Sequence, residues 1–374
     1  MGSWFDRWVW RRTENRQQLT LEQLLAEETT PTHAGVPVGT DQALRLSAVF
    51  ACVRLLSDAV STLPLDVYRR GDRDALPEMP PLLRQPAAGQ QLHEWLYSVV
   101  TSLLLRGNCY GRIVARSGAT LLPGQVELCH PDRMGVTVNP DGVVSYRLNG
   151  EELDPRDVWH VRAYTFPGAV LGLSPVEYAR QTIGLGLAAE KFAGQWFADG
   201  SVPAGVIYPE RDPGREGAAK LQAEWQAARR DNRKPGVLYG ARFEPLSVKP
   251  EESQFLQTTE ANVNSIARIY GVPPEMIAGT TAGPLAYTSP ELRSLDLLTY
   301  TIRPWLVRLE HALSALLPRN QVARFNAGGM VRVDLKSRYE AHEIGIRAGF
   351  LTVNEARELE DRPPLPPDQL GGIA

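Results

Sequence analysis

The sequence PVEYARQTIGLGLAAEKFAGQWFAD, residues 175–199, constrains the fold more than any other part of this chain. Ser174 and Pro175 are typical of a helix start, because serine caps the first unbonded N–H groups and proline suits the first helical turn. Apolar side chains follow on nearly every side of the predicted helix, so it must be covered from more than one direction. The residues that we expect to pack between subunits are Ile183, Leu187, Phe192, Trp196 and Phe197.

Small residues in the same helix allow neighbouring elements to approach closely. The rest of the sequence offers little obvious material to cover this helix, so we expect burial against other copies of the chain. Its segment Gly184-x-Gly186-x-x-Ala189 also matches a loose dinucleotide-binding fingerprint. That fingerprint belongs at a strand-to-helix turn, whereas this one lies within a helical pattern, so we predict helix packing and no cofactor.

The composition is that of a folded protein without a strongly basic character. The 374 residues are 43% hydrophobic and 22% charged, and the length favours two or three domains. A formal net charge of −3 argues against a basic nucleic-acid binder. Three separated cysteines, Cys52, Cys109 and Cys129, indicate neither a disulfide framework nor a zinc site. The longest stretch without a charge, residues 276–290, is too short to span a membrane.

The periodicity of apolar residues predicts an α+β arrangement before residue 165. The predicted helices are 43–63, ended by Pro64, and 91–105, ended by Gly107-Asn108. The predicted strands are 65–68 and 110–115, followed by an antiparallel meander of Met134–Val138, Val143–Leu148 and Val158–Ala163 with turns at 139–142 and 149–150.

The pattern after residue 200 predicts a compact insert, two long helices and a short helical end. The insert has strands near 204–208, 237–239 and 242–246 and a helix near 216–230. The long helices are 251–270 and 290–317, the second kinked by Pro304. The end has a β segment at 322–334, a helix over 336–348 stopped by Gly349, and a helix opened by the capping box Thr352-Val353-Asn354-Glu355.

The N-terminal residues 1–42 predict a loosely held arm. Trp4, Phe5, Trp8, Val9 and Trp10 lie among arginines, and the segment lacks the continuous apolar core of a signal peptide. We expect this arm to pack on a partner chain, with a membrane-surface helix as the alternative.

The sequence contains no convincing catalytic, metal-binding or cofactor-binding set. There is no phosphate-binding GxxxxGK[ST] loop, and the six histidines show no metal-ligand spacing. Asp72-Arg73-Asp74 is interpreted as a solvated turn. His160 is interpreted as a strand residue with a hydrogen-bond partner. A soluble enzyme with a site near His160 and Glu177 remains an alternative, because catalytic groups are assembled in space and not in sequence.

Eight short sequence segments, which occur in the family's order over about residues 43–365, together resemble the portal proteins of long-tailed double-stranded DNA phages. The segments are AVFACVR (48–54, with its continuation to 70), LLLRGNCY (103–110), GLSP (172–175), GSVPAGV (200–206), IARIYGVPP (266–274), TYTIRPW (299–305), DLKSR (334–338) and NEARELE (354–360).

This resemblance implies a portal-type ring, expected to be a dodecamer, with a defined place for each segment. The implied parts are an arm (1–42), a wing (43–175), stem helix 1 (176–200), a clip (201–250), stem helix 2 (251–270), a tunnel loop with a long helix and the rest of the wing (271–335), a crown (336–362) and a mobile tail (363–374). The tunnel loop at the narrowest point would be Gly279, Thr280, Thr281, Ala282, Gly283, Pro284, Leu285, Ala286 and Tyr287.

The resemblance also implies the partners and the place of such a ring. Double-stranded DNA would pass through the channel without sequence specificity during packaging and ejection. The clip would bind the terminase large subunit and later the head–tail adaptor, and major capsid and scaffold protein would surround the ring. The ring would be assembled in the host cytoplasm and reside at the portal vertex of the virion, without catalysis. Another ring protein of the head–tail junction is a further alternative, which the chain length argues against.

Overall fold

The computed structural model describes residues 32–72, 74–118, 121–139, 141–198, 205–209, 213–220, 223, 241–245, 252–277, 290–327, 335–360 and 362–366. Its helices are α1 (Thr40–Arg45), α2 (Ser47–Ser61), α3 (Pro81–Arg84), α4 (Leu92–Arg106), α5 (Pro175–Tyr178), α6 (Arg180–Ala198), α7 (Glu252–Tyr270), α8 (Pro290–Asp296), α9 (Arg303–Ser314), α10 (Leu335–Arg347) and α11 (Val353–Leu359). Its strands are β1 (Leu65–Arg69), β2 (Asn108–Arg116), β3 (Pro123–Cys129), β4 (Met134–Val138), β5 (Val144–Leu148), β6 (Glu151–Leu153), β7 (Val158–Arg162), β8 (Gly205–Pro209), β9 (Ala241–Pro245) and β10 (Gln321–Phe325). The predicted α+β class is confirmed.

Helices α2 and α4 form the centre of the core. Both carry an apolar stripe at helical spacing, and Leu56 of α2 and Leu103 of α4 are completely buried. Trp95 of α4 is also buried, and its indole N–H donates to the carbonyl of Val126 at 3.0 Å. This bond satisfies the polar end of the ring and attaches the helix to β3. Gly107 ends α4 in the left-handed conformation, with φ of 69°.

The antiparallel meander occurs and the predicted strand 158–163 is present as β7, but the third strand of the meander is β6 and not β7. Strand β5 pairs with β4 on one side and with the short β6 on the other. Asn149 and Gly150 both have positive φ, 52° and 87°, so they form the tight turn that sends the chain directly into β6. Strand β7 instead pairs with β2, which lies between β3 and β7 in a separate sheet. Its alternate residues Trp159 and Val161 are buried there, and this burial favours the pairing.

A pairing between distant segments joins the two halves of the chain. Strand β1 pairs with β10 in antiparallel register from Leu65 opposite Phe325 to Arg69 opposite Gln321. The indole N–H of Trp159 donates to the carbonyl of Ala312 on α9 at 2.9 Å. These contacts hold α9 against the core formed by α2 and α4.

Two of the three long helices that the sequence predicts, 175–199 and 290–317, are interrupted, whereas α7 is continuous. The 290–317 helix contains a π-helical segment, Leu297–Ile302, between α8 and α9. Pro304 has no N–H for the carbonyl of Tyr300, and Arg303 donates instead to Leu298, five residues back. The expected kink therefore takes the form of a widened turn before the proline. The 175–199 helix is divided at Ala179 into α5 and α6.

The C-terminal helices begin and end as the sequence predicts. Thr352 and Glu355 form the expected capping box at the start of α11. Gly349, with φ of 76°, lies between α10 and α11. Glu360 then joins the two helices, because its carboxylate accepts from Arg338 at 2.6 Å and contacts His342 at 3.0 Å.

Replacement of Leu309 by alanine tests whether α9 belongs to the central core. Leu309 is completely buried, so Leu309→Ala should lower the free energy of unfolding by about 2–5 kcal/mol. Val307 lies on the same helix with 42% of its surface exposed, and Val307→Ala should change that free energy by less than about 0.5 kcal/mol. Urea unfolding measures both. Equal effects of the two variants would contradict the placement of α9.

Candidate subunit interface and the joint that positions it

One side of α6 packs tightly within its own chain. Ile183 is completely buried, and Leu187 is half-buried against the same core. Asn262 of α7 donates from its amide to the carbonyl of Thr182 at 2.8 Å, which fixes the two helices in register. Ile183 and Leu187, both expected between subunits, are therefore largely covered by their own chain.

The glycines of α6 permit this packing. A Cβ on Gly184 would lie 2.5 Å from the hydroxyl oxygen of Thr32, and one on Gly186 would lie 2.5 Å from the amide oxygen of Asn262. Real Cβ atoms essentially never come this close to another atom, so a larger residue would force the side chain of Thr32 or Asn262 to shift. The interpretation of Gly184-x-Gly186-x-x-Ala189 as a helix-packing sequence is thus confirmed.

The outward side of α5 and α6 exposes a stripe of large apolar residues. Leu185 and Phe192 are seven residues apart in α6, so they lie along one side of that helix, and each is 49% exposed. Tyr178, seven residues before Leu185 at the end of α5, is 59% exposed. We call these three residues the apolar stripe. Such a row on a helix of a folded chain is typical of an interaction surface. Of these three residues, only Phe192 was predicted from the sequence to pack between subunits. Leu185 was not, because its outward orientation depends on how α6 packs against the rest of the chain.

The start of this helix is positioned by Asn108, the first residue of β2. Its amide N–H groups donate to the carbonyls of Gly172 at 2.9 Å and Arg106 at 3.1 Å. Its amide oxygen accepts from the backbone N–H of Gly172 at 2.8 Å and lies 3.1 Å from Nε2 of His160. The side chain is buried and uses its whole hydrogen-bonding capacity, so it holds residue 172 in one place.

Close backbone contacts complete this joint, by which we mean residues 105–108, 163 and 172–174. Gly107 has φ of 69°, and a Cβ there would lie 2.0 Å from the carbonyl oxygen of Leu173. The carbonyl of Gly107 accepts from Ala163 at 2.8 Å. Ser174 donates to Leu105 at 2.8 Å and accepts from the N–H of Glu177 at 3.2 Å, so it caps α5 while it binds the end of α4. The predicted N-cap is confirmed.

His160 belongs to this polar network. Its ring stacks on Tyr110 with centroids 4.4 Å apart, and Nδ1 lies 3.3 Å from the hydroxyl of Tyr146. Burial, followed by the nearby positive charge of Arg162, lowers the pKa of His160 to about 3. The ring is therefore neutral near pH 7, with Nε2 donating to Asn108 and Nδ1 accepting from Tyr146. The expectation of a strand histidine with a hydrogen-bond partner is confirmed.

Several expected site residues lie outside the described residues. These are the tunnel loop Gly279–Tyr287, the arm up to residue 31, most of the clip, and the side chains of Trp196 and Phe197. Within the segment 201–250, expected to be the clip, β8 and β9 form an antiparallel pair. Subunit packing by the stem residues stays a prediction.

Among the described residues, no three His, Cys, Asp or Glu side chains are grouped so that they could hold a metal ion. No described helix combines the length and apolar character needed to cross a membrane.

Comparison with known proteins gives consistent matches over most of the chain. The family model described as phage portal protein matches residues 47–361. The chain is 34% identical to the "Probable portal protein" of Streptomyces phage phiC31, over 90% of this chain and 79% of that protein. Its fold is similar to an HK97 family phage portal protein from Corynebacterium diphtheriae, with a TM-score of 0.61 and 18% identity, over 81% of this chain and 98% of that one. It is also similar to a chain in the neck of a native gene transfer agent particle computed with C12 symmetry, with a TM-score of 0.59 and 24% identity, over 89% of this chain and 97% of that one.

The low pKa of His160 predicts acid sensitivity that the variant His160→Gln lacks. The unfolded chain takes up a proton at this histidine below about pH 6.5, whereas the folded chain does not until about pH 3, so stability falls as the pH falls between these values. Between pH 7 and pH 5, the free energy of unfolding of the native protein should fall by about 2 kcal/mol more than that of the variant. Urea unfolding at both pH values, at one protein concentration, measures the difference. Parallel pH profiles would contradict a buried neutral ring.

Proposed function

This chain belongs to the phage portal protein family, and from that premise we propose that it forms the ring-shaped channel at one capsid vertex through which DNA is packaged, retained and ejected. The observation that carries the proposal is the apolar stripe of Tyr178, Leu185 and Phe192 on the proposed stem helix. A ring covers such a stripe, because each subunit packs on two neighbours and the head-to-tail contacts close when the rotation per subunit suits the ring. The similarity to a chain in a neck computed with C12 symmetry supports a dodecamer.

The segments of the chain take the parts that this architecture needs. Residues 43–175 and much of 271–335 form the wing, which is the core of α2, α4 and the sheets. Residues 176–200 and 251–270 form the stem, in which α6 and α7 are joined through Asn262 and Thr182. Residues 201–250 form the clip between the two stem helices, and residues 336–362 form the crown of α10 and α11. The residues that follow the crown are not mobile as expected at their start, because Asn354 bonds to both the N–H and the carbonyl of Leu365 and Arg357 donates to the carbonyl of Pro363.

The charge of the protein suits passage of DNA without tight or sequence-specific binding. Each phosphate neutralised by Lys or Arg adds affinity through release of counterions, and a channel with many such contacts would hold the DNA. This chain has a formal net charge of −3, and the proposed tunnel loop 279–287 lies in a stretch without charge between Glu275 and Glu291. The loop therefore offers uncharged groups at the constriction.

The clip is the proposed docking surface for the terminase large subunit and then for the head–tail adaptor. It lies in the sequence between two stem helices, so it can protrude from the ring. Major capsid and scaffold protein are the proposed partners of the wing, and the assembled ring resides in the virion after assembly in the host cytoplasm. The chain needs no catalytic residue for this role.

The alternative of an enzyme with a site near His160 and Glu177 has little support from the local chemistry. Both ring nitrogens of His160 are engaged, and a pKa of about 3 makes this ring a weak base at neutral pH. The N–H of Glu177 donates to Ser174 as part of a helix cap. The energy for packaging then comes from the separate terminase motor.

Introduction of a charge into the apolar stripe tests the ring. Leu185→Asp should prevent assembly, because a carboxylate buried between apolar neighbours costs several kcal/mol at every one of the repeated interfaces. Lys191→Asp, at an exposed position of α6 outside the stripe, is the matched control and should assemble. Negative-stain microscopy and light scattering distinguish a ring of about 0.5 MDa, the mass of twelve 41.3 kDa chains, from single chains. A Leu185→Asp ring of native size would count against the proposed interface.

Shortening of the loop Gly279–Tyr287 tests the proposed constriction. Replacement by a shorter glycine and serine segment should leave the ring intact, because the stem interface lies elsewhere in the sequence. DNA packaging or retention should fall, because the channel loses its narrowest part. Microscopy of the ring and the amount of nuclease-protected DNA in particles measure the two outcomes. Unchanged packaging would refute a constriction formed by these residues.

A further inference from the structure

An apolar groove opens beside the start of the proposed stem helix. It has a volume of about 540 Å³, within the range of about 300–1,000 Å³ typical of ligand pockets. We call it the aromatic groove, and its main lining residues are Tyr164, Phe166, Pro175, Tyr178, Thr182 and Ile269. Its walls come from the loop after β7, from α5 and α6, and from the end of α7.

The aromatic residues of this groove are held in place and yet exposed. Tyr164, Phe166 and Tyr178 are 38%, 58% and 59% exposed. Tyr164 has φ of 51°, a left-handed conformation that is unfavourable for a bulky residue. Its ring packs edge-on against Trp305 with centroids 5.6 Å apart, and this contact holds it at the groove wall. Strain of this kind is often found where a surface is prepared for binding.

The N-terminal part of the chain arrives next to this groove. Thr32, the first described residue, is buried against Gly184, and the N–H of His33 donates to the side chain of Gln181 at 2.9 Å. Gln181 precedes Thr182 of the groove directly and lies one helical turn from Tyr178. Residues 1–31 are therefore tethered to α6 at the edge of the groove.

The beginning of that tethered segment has side chains that suit the groove. Trp4, Phe5, Trp8, Val9 and Trp10 make it the most aromatic part of the chain, with three of the eight tryptophans. Trp10 is separated from Thr32 by 22 residues, which can span about 70 Å when extended, so the segment reaches the groove easily. Aromatic pairs stabilise each other beyond simple burial, and the indole N–H groups can donate to the hydroxyls of Thr182 and the tyrosines.

We propose that the N-terminal aromatic segment, residues 4–10, docks in the aromatic groove of its own chain. The tether at Thr32 gives the segment an effective concentration in the millimolar range at this groove, above that of any segment from a separate chain in dilute solution. The docked rings cover Tyr164 and Phe166, while the arginines that follow, Arg11 and Arg12, remain at the rim in water. The inference concerns one chain and does not depend on the ring.

A photo-crosslinker at position 8 tests the docking in the full chain. With p-benzoylphenylalanine in place of Trp8, illumination should attach the segment to the peptide 163–180, which trypsin releases whole because it contains no internal Lys or Arg. The adduct should have the mass of one chain on a denaturing gel. Mass spectrometry of the digest identifies the peptide.

Two exposed phenylalanines provide a matched pair of variants for this experiment. Phe166→Ser should reduce the adduct about fivefold, since loss of one aromatic partner costs about 1 kcal/mol. Phe350→Ser, at a residue with 77% of its surface exposed between α10 and α11, should leave the adduct unchanged. Phe166 is outside the apolar stripe, so Phe166→Ser should still assemble into a ring. The mass of the assembled particle in the same preparations therefore tests the proposed function separately.

Three results would overturn the inference. The adduct could form on other peptides, or it could form on 163–180 with equal yield in Phe166→Ser. The adduct could also have the mass of two chains, which would place the segment of a neighbouring copy in the groove. Because Phe166 is exposed and contributes little to the core, Phe166→Ser should have the circular dichroism spectrum of the native protein. An unchanged spectrum shows that a loss of adduct does not come from unfolding.

Discussion

The hydrogen-bonded pairing of the Asn108 amide with the backbone of Gly172 is the contact on which the arrangement of this chain depends. It joins residues 64 positions apart in the sequence, at the point where α4 ends, β2 begins and the chain turns toward α5. Gly107 and Gly172 allow the two backbones to approach more closely than any side chain permits. Each buried group left without its partner would cost about 1–3 kcal/mol, so the joint is a strong determinant of where the helix begins.

This joint fixes the orientation of α6, and the two sides of the helix therefore have different surroundings. The glycine side lies against Thr32 and Asn262 of the same chain, where small residues allow helix-to-helix and helix-to-arm contact. The other side carries Leu185 and Phe192 into the solvent around a single chain. A portal subunit is expected to have this asymmetry, because it must be stable enough to fold and still present an apolar surface to its neighbours.

Tyr178 lies at the meeting point of two surfaces. It begins the apolar stripe and also lines the aromatic groove near which residues 1–31 join α6. An arm docked in the aromatic groove would cover the side of the Tyr178 phenol ring that faces the groove. The apolar stripe would remain available for contact with a neighbouring subunit. The groove exposes aromatic side chains and the arm is rich in aromatic residues, so the two are chemically complementary.

The sequence determined the elements whose signals are local. Helical periodicity gave α2, α4 and α7 to within a few residues, the serine at 174 and the box of Thr352 and Glu355 gave helix starts, and the run of family motifs gave the family. The tertiary structure decided what depends on contacts between distant residues. The pairings of β7 with β2 and of β1 with β10 follow from burial of Trp159 and Leu65 in a shared core, which no local pattern encodes. The same holds for the apolar stripe: the sequence shows that α6 is apolar, but only its seating on Asn262 and Thr32 decides that Ile183 points inward and Leu185 outward.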